Sequence, residues 1–131
     1  MAQAGIHGLM GIVLSNLNFK KEWLLLGVIF GNMLPDLDAV AVAYFTLTGG
    51  DTNGLHRTWS HSLLFIASLV VIIYIISKIR KVPRIRNFGI GLGFGMLTHV
   101  LMDMIIWFRG VEVFWPFYPE INFWHFFIQP E

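Results

Sequence analysis

Residues 62–77 read S-L-L-F-I-A-S-L-V-V-I-I-Y-I-I-S, a run of 16 residues without a charged side chain. At about 1.5 Å of rise per residue, a helix of this length approaches the roughly 30 Å thickness of a hydrocarbon core. A second run, residues 88–108, contains a single charged residue, Asp103. Such long apolar runs are typical of membrane-spanning helices.

Two further apolar runs extend this pattern toward the N-terminus. Residues 23–48 are interrupted only by Pro35, Asp36 and Asp38, and residues 4–19 form a shorter run. No basic residue precedes that first run and no small-x-small cleavage site follows it, so we expect it in the mature protein. The sequence therefore predicts an all-α polytopic membrane protein, a single integral membrane domain over residues 1–131. Its four transmembrane helices are expected at about 4–19, 23–48, 61–77 and 88–108.

The composition excludes several classes of protein. The chain is 56% hydrophobic and only 13% charged, has a net charge of +1 and contains no cysteine. Disorder, a disulfide scaffold and a cysteine-ligated metal site are excluded on these grounds. With so small a net charge we expect no nucleic-acid partner, and the apolar surface predicts membrane lipids as partners.

Basic residues predict the orientation in the membrane. Residues 78–86 carry five positive charges and no negative one, and Lys20 and Lys21 lie between the first two predicted helices. The positive-inside rule places both connections in the cytoplasm. With four helices, both termini and the connection 49–60 then lie on the extracytoplasmic side of the cell's inner membrane.

The C-terminal segment, residues 112–131, is rich in aromatic side chains. Two prolines in F-W-P-F-Y-P-E-I-N-F-W-H-F-F, residues 114–127, prevent one straight spanning helix. The simplest interpretation is an interfacial segment with its rings at headgroup level. A lid over a site, or a lip that guides a lipid, is the alternative.

Ionisable residues lie inside the predicted spans. Each raises the free energy of inserting a helix into the membrane by roughly 2.5–3.5 kcal/mol when it lies at the membrane centre. They are Asp36, Asp38, His99 and Asp103. The spans contain no lysine or arginine to pair with the three carboxylates. A bound cation would compensate them, so these residues predict a metal site.

Seven residues at similar depth in the outer half of the predicted spans are candidate metal ligands: His7, Asp36, Asp38, His56, His61, His99 and Asp103. His99 and Asp103 are four residues apart and share one helix face, although a proton relay or a buried structural pair explains this pair equally well. The side chains of Asp36 and Asp38 point apart on a regular helix. Either one carboxylate binds the ion and the other supports a ligand, or Pro35 breaks the helix and both carboxylates reach the ion. His56 folds back toward His61 if Thr58 or Ser60 caps the third helix.

The residue types also restrict the chemistry. Imidazole and carboxylate without thiolate favour zinc, with manganese or iron as alternatives. Seven candidates exceed the needs of one catalytic ion, which predicts two or more ions, the usual machinery of phosphate ester cleavage. We assign catalytic roles to Arg57, which would hold the phosphate, and to Asp38. A site about 14 Å below the interface favours a lipid substrate over a soluble polymer.

Five motifs occur in order along most of the chain: His7-x-x-x-Gly11, Gly31-x-x-Leu34-Pro35-Asp36-x-Asp38, His56-Arg57-x-x-x-His61-Ser62, His99-x-x-x-Asp103 and Trp115-Pro116-Phe117. Together they resemble the YdjM-type predicted membrane-bound metal-dependent hydrolases, a family considered distantly similar to zinc-dependent phospholipase C. The resemblance implies zinc-dependent hydrolysis of phosphodiesters or phospholipids, with His7, Asp36 or Asp38, His56, His61, His99 and Asp103 as ligands.

Three functional hypotheses follow from the sequence. The first is a membrane-embedded hydrolase that cleaves a phospholipid-like phosphate ester with metal-activated water near the outer face. The second is a metal or proton pathway, although the inner halves of the spans lack the polar residues that a transporter needs. The third is a structural or regulatory membrane protein that binds metal without turnover.

Overall fold

The computed structural model describes residues 9, 13, 22–53, 57–106, 110–117, 121 and 123. Within these residues the α-helices with defined bounds are α1 (Glu22–Met33), α2 (Asp38–Thr48), α3 (Leu63–Arg80) and α4 (Pro83–Ile106), and short 3-10 turns cover Pro35–Leu37 and Trp59–His61. Within those residues the only β pairing is an isolated antiparallel bridge between Val111 and Ile121. All of the predicted helix 4–19 except residues 9 and 13, including His7, lies outside the described residues, as do His56 and most of the tail after residue 117.

The described helices contain fewer membrane-spanning candidates than the sequence predicted. α3 and α4 are each long and apolar enough to cross a membrane, and α1 with α2 forms a third candidate if the bent pair is one span. This gives two or three candidate spans among the described residues, against the predicted four. The remaining predicted span is residues 4–19.

Pro35 divides the predicted helix 23–48 into two helices. Proline lacks the backbone N–H of a regular helix, and its ring collides with the carbonyl four residues earlier. α1 therefore ends at Met33, a 3-10 turn begins at Pro35, and α2 leaves at an angle of 42° to α1. The break contains Asp36 and starts α2 at Asp38, so the two carboxylates do not follow the spacing of a regular helix.

α3 and α4 form a tight antiparallel hairpin. The basic segment 78–86 is the last turn of α3, a two-residue turn and the first turn of α4, rather than an extended loop. Lys81 closes α3 in the left-handed conformation at φ 54°, and its N–H bonds back to the Lys78 carbonyl. At the other end Ser62, and neither Thr58 nor Ser60, caps α3 by accepting a hydrogen bond from Phe65 N.

α1 and α4 cross in close backbone contact. A Cβ on Gly91 or Gly95 would fall within 3.0 Å of backbone atoms of Leu24 or Val28, and one on Gly31 would meet the Leu92 carbonyl. Two small-xxx-small motifs, Gly27–Gly31 and Gly91–Gly95, therefore pack against each other, as in close membrane helix pairs. The crossing fixes the position of α1 relative to the middle of α4, just before His99.

The apolar core lies between α3, α4 and the segment after α4. Buried members of this core include Ile66, Leu92, Met96 and Val100. Val111 and Val113 also belong to it, and the Val113 carbonyl accepts a hydrogen bond from Leu63 N at the start of α3. The first residues of the aromatic tail thus pack on the bundle, whereas Phe117 is 82% exposed.

Candidate metal centre

The two 3-10 turns and the C-terminal half of α4 meet at a buried polar cluster. Asp36 comes from the turn Pro35–Leu37, His61 from the turn Trp59–His61, and His99 and Asp103 from successive turns of α4. His61 and His99 are fully buried, and Asp103 is 1% exposed. Three segments far apart in the chain therefore place ionisable side chains at one point inside the protein.

The distances between donor atoms fit one small cation. Ligand atoms of Asp36, His61 and His99 all lie within 4.8 Å of one another. Nε2 of His61 is 3.2 Å from Nε2 of His99, and Asp36 Oδ1 is 3.6 Å from His99 Nε2. Two atoms bound tetrahedrally to zinc at roughly 2.0–2.1 Å lie about 3.3 Å apart. The separations of 3.2 Å and 3.6 Å are close to the edge length of such a tetrahedron.

A backbone carbonyl orients the His99 ring. Nδ1 of His99 lies 2.8 Å from the carbonyl oxygen of Asn32, at the end of α1. A carbonyl can only accept a hydrogen bond, so Nδ1 is the protonated nitrogen. In the neutral ring the lone pair is then on Nε2, which points toward His61 and Asp36.

A serine and a carboxylate orient the His61 ring in the same sense. Ser60 Oγ donates to Asp38 Oδ2 at 2.8 Å and lies 2.9 Å from His61 Nδ1. Since the hydroxyl proton is engaged with Asp38, Nδ1 of His61 donates to Ser60 Oγ, and Nε2 carries the lone pair. Asp38 Oδ2 also accepts from Arg57 N at 3.1 Å, which fits an ionised carboxylate.

Both imidazoles thus direct lone pairs into the same small volume, next to carboxylate oxygens. Two nitrogen lone pairs at 3.2 Å repel each other unless a cation or a shared proton lies between them. Histidines that bind metals are typically oriented by a hydrogen bond from the other ring nitrogen to a carbonyl or carboxylate. The donor set, its spacing and its supporting hydrogen bonds therefore fit a bound divalent metal.

Asp103 joins this cluster to Arg57. Asp103 Oδ2 lies 3.5 Å from His61 Nε2, 3.8 Å from His99 Nε2 and 3.5 Å from Arg57 Nε. The predicted spans contain no basic residue, but the connection before α3 supplies one: Arg57 is only 8% exposed. Its side chain does not extend to the surface, and its carbonyl accepts from Glu112 N at the start of the tail.

Comparison with known proteins identifies the family. The family model described as YdjM inner membrane protein matches residues 1–131, the whole chain. The chain belongs to the YdjM inner membrane protein family. No curated protein and no solved structure matches it. The family's description as inner membrane proteins agrees with the two long apolar helices of this YdjM chain.

The YdjM chain brings together four of the seven predicted ligands. Asp36, His61, His99 and Asp103 surround one point. Asp38 lies 3.7 Å from His61 Nδ1, the nitrogen opposite the cluster, so one carboxylate of the pair faces the cluster and the other supports it. His7 and His56 lie outside the described residues.

Neutral polar residues of the YdjM site carry no signal in the sequence. Asn32, Ser60 and Thr98 are common residue types, and their roles depend on tertiary contacts. Asn32 is fully buried, and its Nδ2 donates to the Val28 carbonyl. Thr98 Oγ1 lies 3.2 Å from Asn32 Oδ1, which links α4 to α1 beside His99.

Proposed function

We propose that this YdjM protein is a membrane-embedded, metal-dependent hydrolase that cleaves a phospholipid-like phosphate ester. One observation carries the proposal. Donor atoms of half-buried Asp36 and of the fully buried His61 and His99, from separate segments, lie within 4.8 Å of one another. The two histidines are oriented by hydrogen bonds on their opposite nitrogens. A site formed only to pair helices would not need both imidazole lone pairs in one place.

Asp36, His61 and His99 are the proposed metal-binding residues. Two imidazoles and one carboxylate are a ligand set of catalytic zinc sites, which keep the fourth position for water. Zinc is the ion that we propose, and manganese and iron are the alternatives for the same donors. When bound, such an ion generates hydroxide from water at neutral pH and polarises the phosphoryl oxygen.

Asp103 and Arg57 are the proposed reactive partners of that centre. Asp103 Oδ2 borders both metal-facing nitrogens and is placed to accept a proton from the attacking water. The Arg57 guanidinium, with Nε 3.5 Å from that oxygen, is placed to hold a phosphate oxygen and to stabilise its developing charge. Asp38, for which the sequence also suggested catalysis, holds His61 and Arg57 in position instead.

A second ion is the natural extension of this site. The sequence predicts two or more ions, and the described residues account for one group of ligands. His7 and His56, the remaining predicted ligands, are the residues that we propose for a second ion. Two ions would clamp the attacking and leaving oxygens of a phosphate ester.

The proposal also includes the placement of the protein in the membrane. Four spans, with residues 4–19 as the first, would put the centre in the outer half of the inner membrane, with both termini outside. The aromatic segment 112–131 would then lie at the outer interface. A buried centre on apolar spans favours a lipid as substrate, because its phosphate already lies at this interface.

The test compares phosphate ester turnover with metal content in the same preparations. Wild-type protein purified in detergent and loaded with zinc should release the headgroup or phosphate from phospholipid. Arg57→Gln should bind the metal but lose about 10²-fold in turnover, as expected for one donor to a developing negative charge. Asp103→Asn should lose at least as much.

The matched control is Asp51→Asn, which removes an exposed carboxylate outside the site. It should retain both metal and turnover. Stoichiometric metal with no turnover on any phospholipid tested would contradict the hydrolase and favour a structural or regulatory metal protein.

The His61–His99 contact also favours a second candidate function. A separation of 3.2 Å between the two Nε2 atoms is a hydrogen-bond distance, which suits a proton shared by two imidazoles. In that case the cluster is a proton site without catalysis. Wild-type protein would then contain no metal after zinc loading and show no turnover.

A further inference from the structure

We propose that a groove along the α3–α4 hairpin binds an anionic phospholipid, with one acyl chain between the helices and the phosphate at Arg86. Its headgroup end, at Arg86, lies at the opposite end of the α3–α4 hairpin from the metal centre. It does not depend on the hydrolase proposal, because the ligand is bound and not converted.

The groove runs along the outer seam of the two candidate spans. Its wide part, about 590 Å³, begins between Leu63 on α3 and Leu97 on α4. A second part of about 150 Å³ continues from Val70 and Ile90 to Tyr74 and Arg86. Val70, Val71 and Ile90 border both parts, so the two form one continuous groove.

Glycines on α4 let the two helices lie close together along this groove. Gly89 and Gly93 of α4 face Ile73 and Val70 of α3, where any added Cβ would meet a side-chain methyl group. Ala67 has the smallest side chain among the α3 residues that line the wide part. The lining is almost entirely apolar, which suits hydrocarbon and excludes a polar ligand along most of its length.

The dimensions fit one acyl chain. From Leu63 to Tyr74 the groove follows eleven residues of helix, or about 16 Å at 1.5 Å per residue. Half of a hydrocarbon core roughly 30 Å thick is about 15 Å. The groove is therefore as long as the acyl region of a single leaflet.

Charge at one end selects the kind of lipid. Arg86 borders the narrow end of the groove beside Tyr74, and the Lys78 ammonium lies 5.7 Å from the centre of the Tyr74 ring. Arg80 and Lys81 add positive charge where α3 ends, next to the start of α4. Basic pockets between spanning helices are recognised binding sites for anionic headgroups. An apolar groove that ends in cations fits an amphiphile with a negative phosphate.

Native mass spectrometry of the purified full chain tests this site with phosphatidylglycerol and the zwitterionic phosphatidylcholine as probes. Wild type should bind phosphatidylglycerol more tightly. Arg86→Gln should weaken that binding about five-fold, the effect of one basic residue near a phosphate, and should leave phosphatidylcholine binding unchanged. Arg84→Gln, which makes the same charge change outside the groove lining, should change binding less than two-fold.

A second pair of variants tests the groove itself. Ala67→Trp fills the wide part and should weaken binding of both lipids about ten-fold or more, whereas Ser68→Trp, on the neighbouring position outside the lining, should not. Unchanged circular dichroism and metal content would show that the variants fold. Equal effects of Arg86→Gln and Arg84→Gln, or unchanged binding by Ala67→Trp, would overturn the proposal.

Discussion

At the scale of single residues, the chemistry of the centre depends on the hydrogen bonds behind it. Asn32 O and Ser60 Oγ each accept the hydrogen of one Nδ1, which leaves both Nε2 atoms to face the same point. Asp38 in turn holds Ser60 and the backbone N–H of Arg57. These supporting groups do not bind the proposed metal themselves. They hydrogen-bond to its ligands and so determine which ring nitrogens are available to the metal.

Ser60→Ala tests the support of His61. Removing the hydroxyl leaves Asp38 Oδ2 and His61 Nδ1 without their shared partner, and supporting groups of this kind typically contribute 10–100-fold to metal affinity. We expect zinc affinity to fall by that factor, measured by competition with a chelator of known affinity. Ser60→Thr keeps the hydroxyl and should restore most of the affinity.

A decrease in affinity of less than about two-fold for Ser60→Ala would contradict the proposed hydrogen-bond chain from Asp38 to His61. Thr46→Ala is a suitable control, because that hydroxyl bonds only within exposed α2. It should leave zinc affinity unchanged.

At the scale of elements, the centre depends on how α1 and α4 approach each other. Gly31 and Gly95 let the two backbones touch one residue before Asn32 on α1 and one turn before His99 on α4. The break at Pro35 then turns the chain so that Asp36 points toward the same place. A proline that interrupts a span and a glycine pair that tightens a crossing thus act together to position ligands.

Gly95→Ala tests the crossing. The added methyl group would collide with the Val28 carbonyl and with backbone atoms of Gly31 and Asn32, so the helices must separate. We expect a loss of about 1–3 kcal/mol in the free energy of unfolding in detergent, together with weaker zinc binding, because Asn32 moves away from His99. Thermal unfolding followed by circular dichroism measures the first effect.

The matched control is Gly93→Ala on the same helix. Its methyl group meets only Val70 Cγ2, the end of a side chain, and alanine is the better helix former by about 1 kcal/mol. Stability should therefore change by less than about 1 kcal/mol. Equal losses for the two variants would show that the α1–α4 crossing has no special role.

Much of the site is predictable from sequence because charge is rare in apolar segments. Asp36, His61, His99 and Asp103 stand out in a chain with only 13% charged residues. Ser60 and Asn32 do not stand out, because their roles arise from contacts between distant segments. The break at Pro35 is visible in the sequence, but the separate directions of Asp36 and Asp38 depend on the bend angle. The pairing of Arg57 with Asp103 likewise requires the fold of the connection before α3.

At the scale of the whole molecule, the proposed topology places the two ends of the α3–α4 hairpin on opposite sides of the membrane. The basic turn near Lys81 would be cytoplasmic, and the connection near Asp51 would be outside. The proposed metal centre lies at the Asp51 end of α3, and the proposed lipid groove ends at the Lys81 end. The orientation therefore decides which leaflet supplies each ligand.

Cysteine labelling tests the orientation directly, because the chain contains no native cysteine. Asp51→Cys and Lys81→Cys change exposed residues in connections between helices. In intact cells with a permeable outer layer, a membrane-impermeant maleimide should label Asp51→Cys. It should label Lys81→Cys only after the inner membrane is opened. The reverse pattern would contradict the topology and place the metal centre in the cytoplasmic half.

The central claim is that Asp36, His61 and His99 form a metal centre, and metal content measures it most directly. Zinc-loaded wild-type protein, dialysed and analysed for elements, should hold at least about one ion per chain. His99→Ala should hold less than about a tenth of that amount, while Asp51→Asn should match the wild type. Wild-type protein without bound metal, or His99→Ala with the full wild-type amount, would contradict the account.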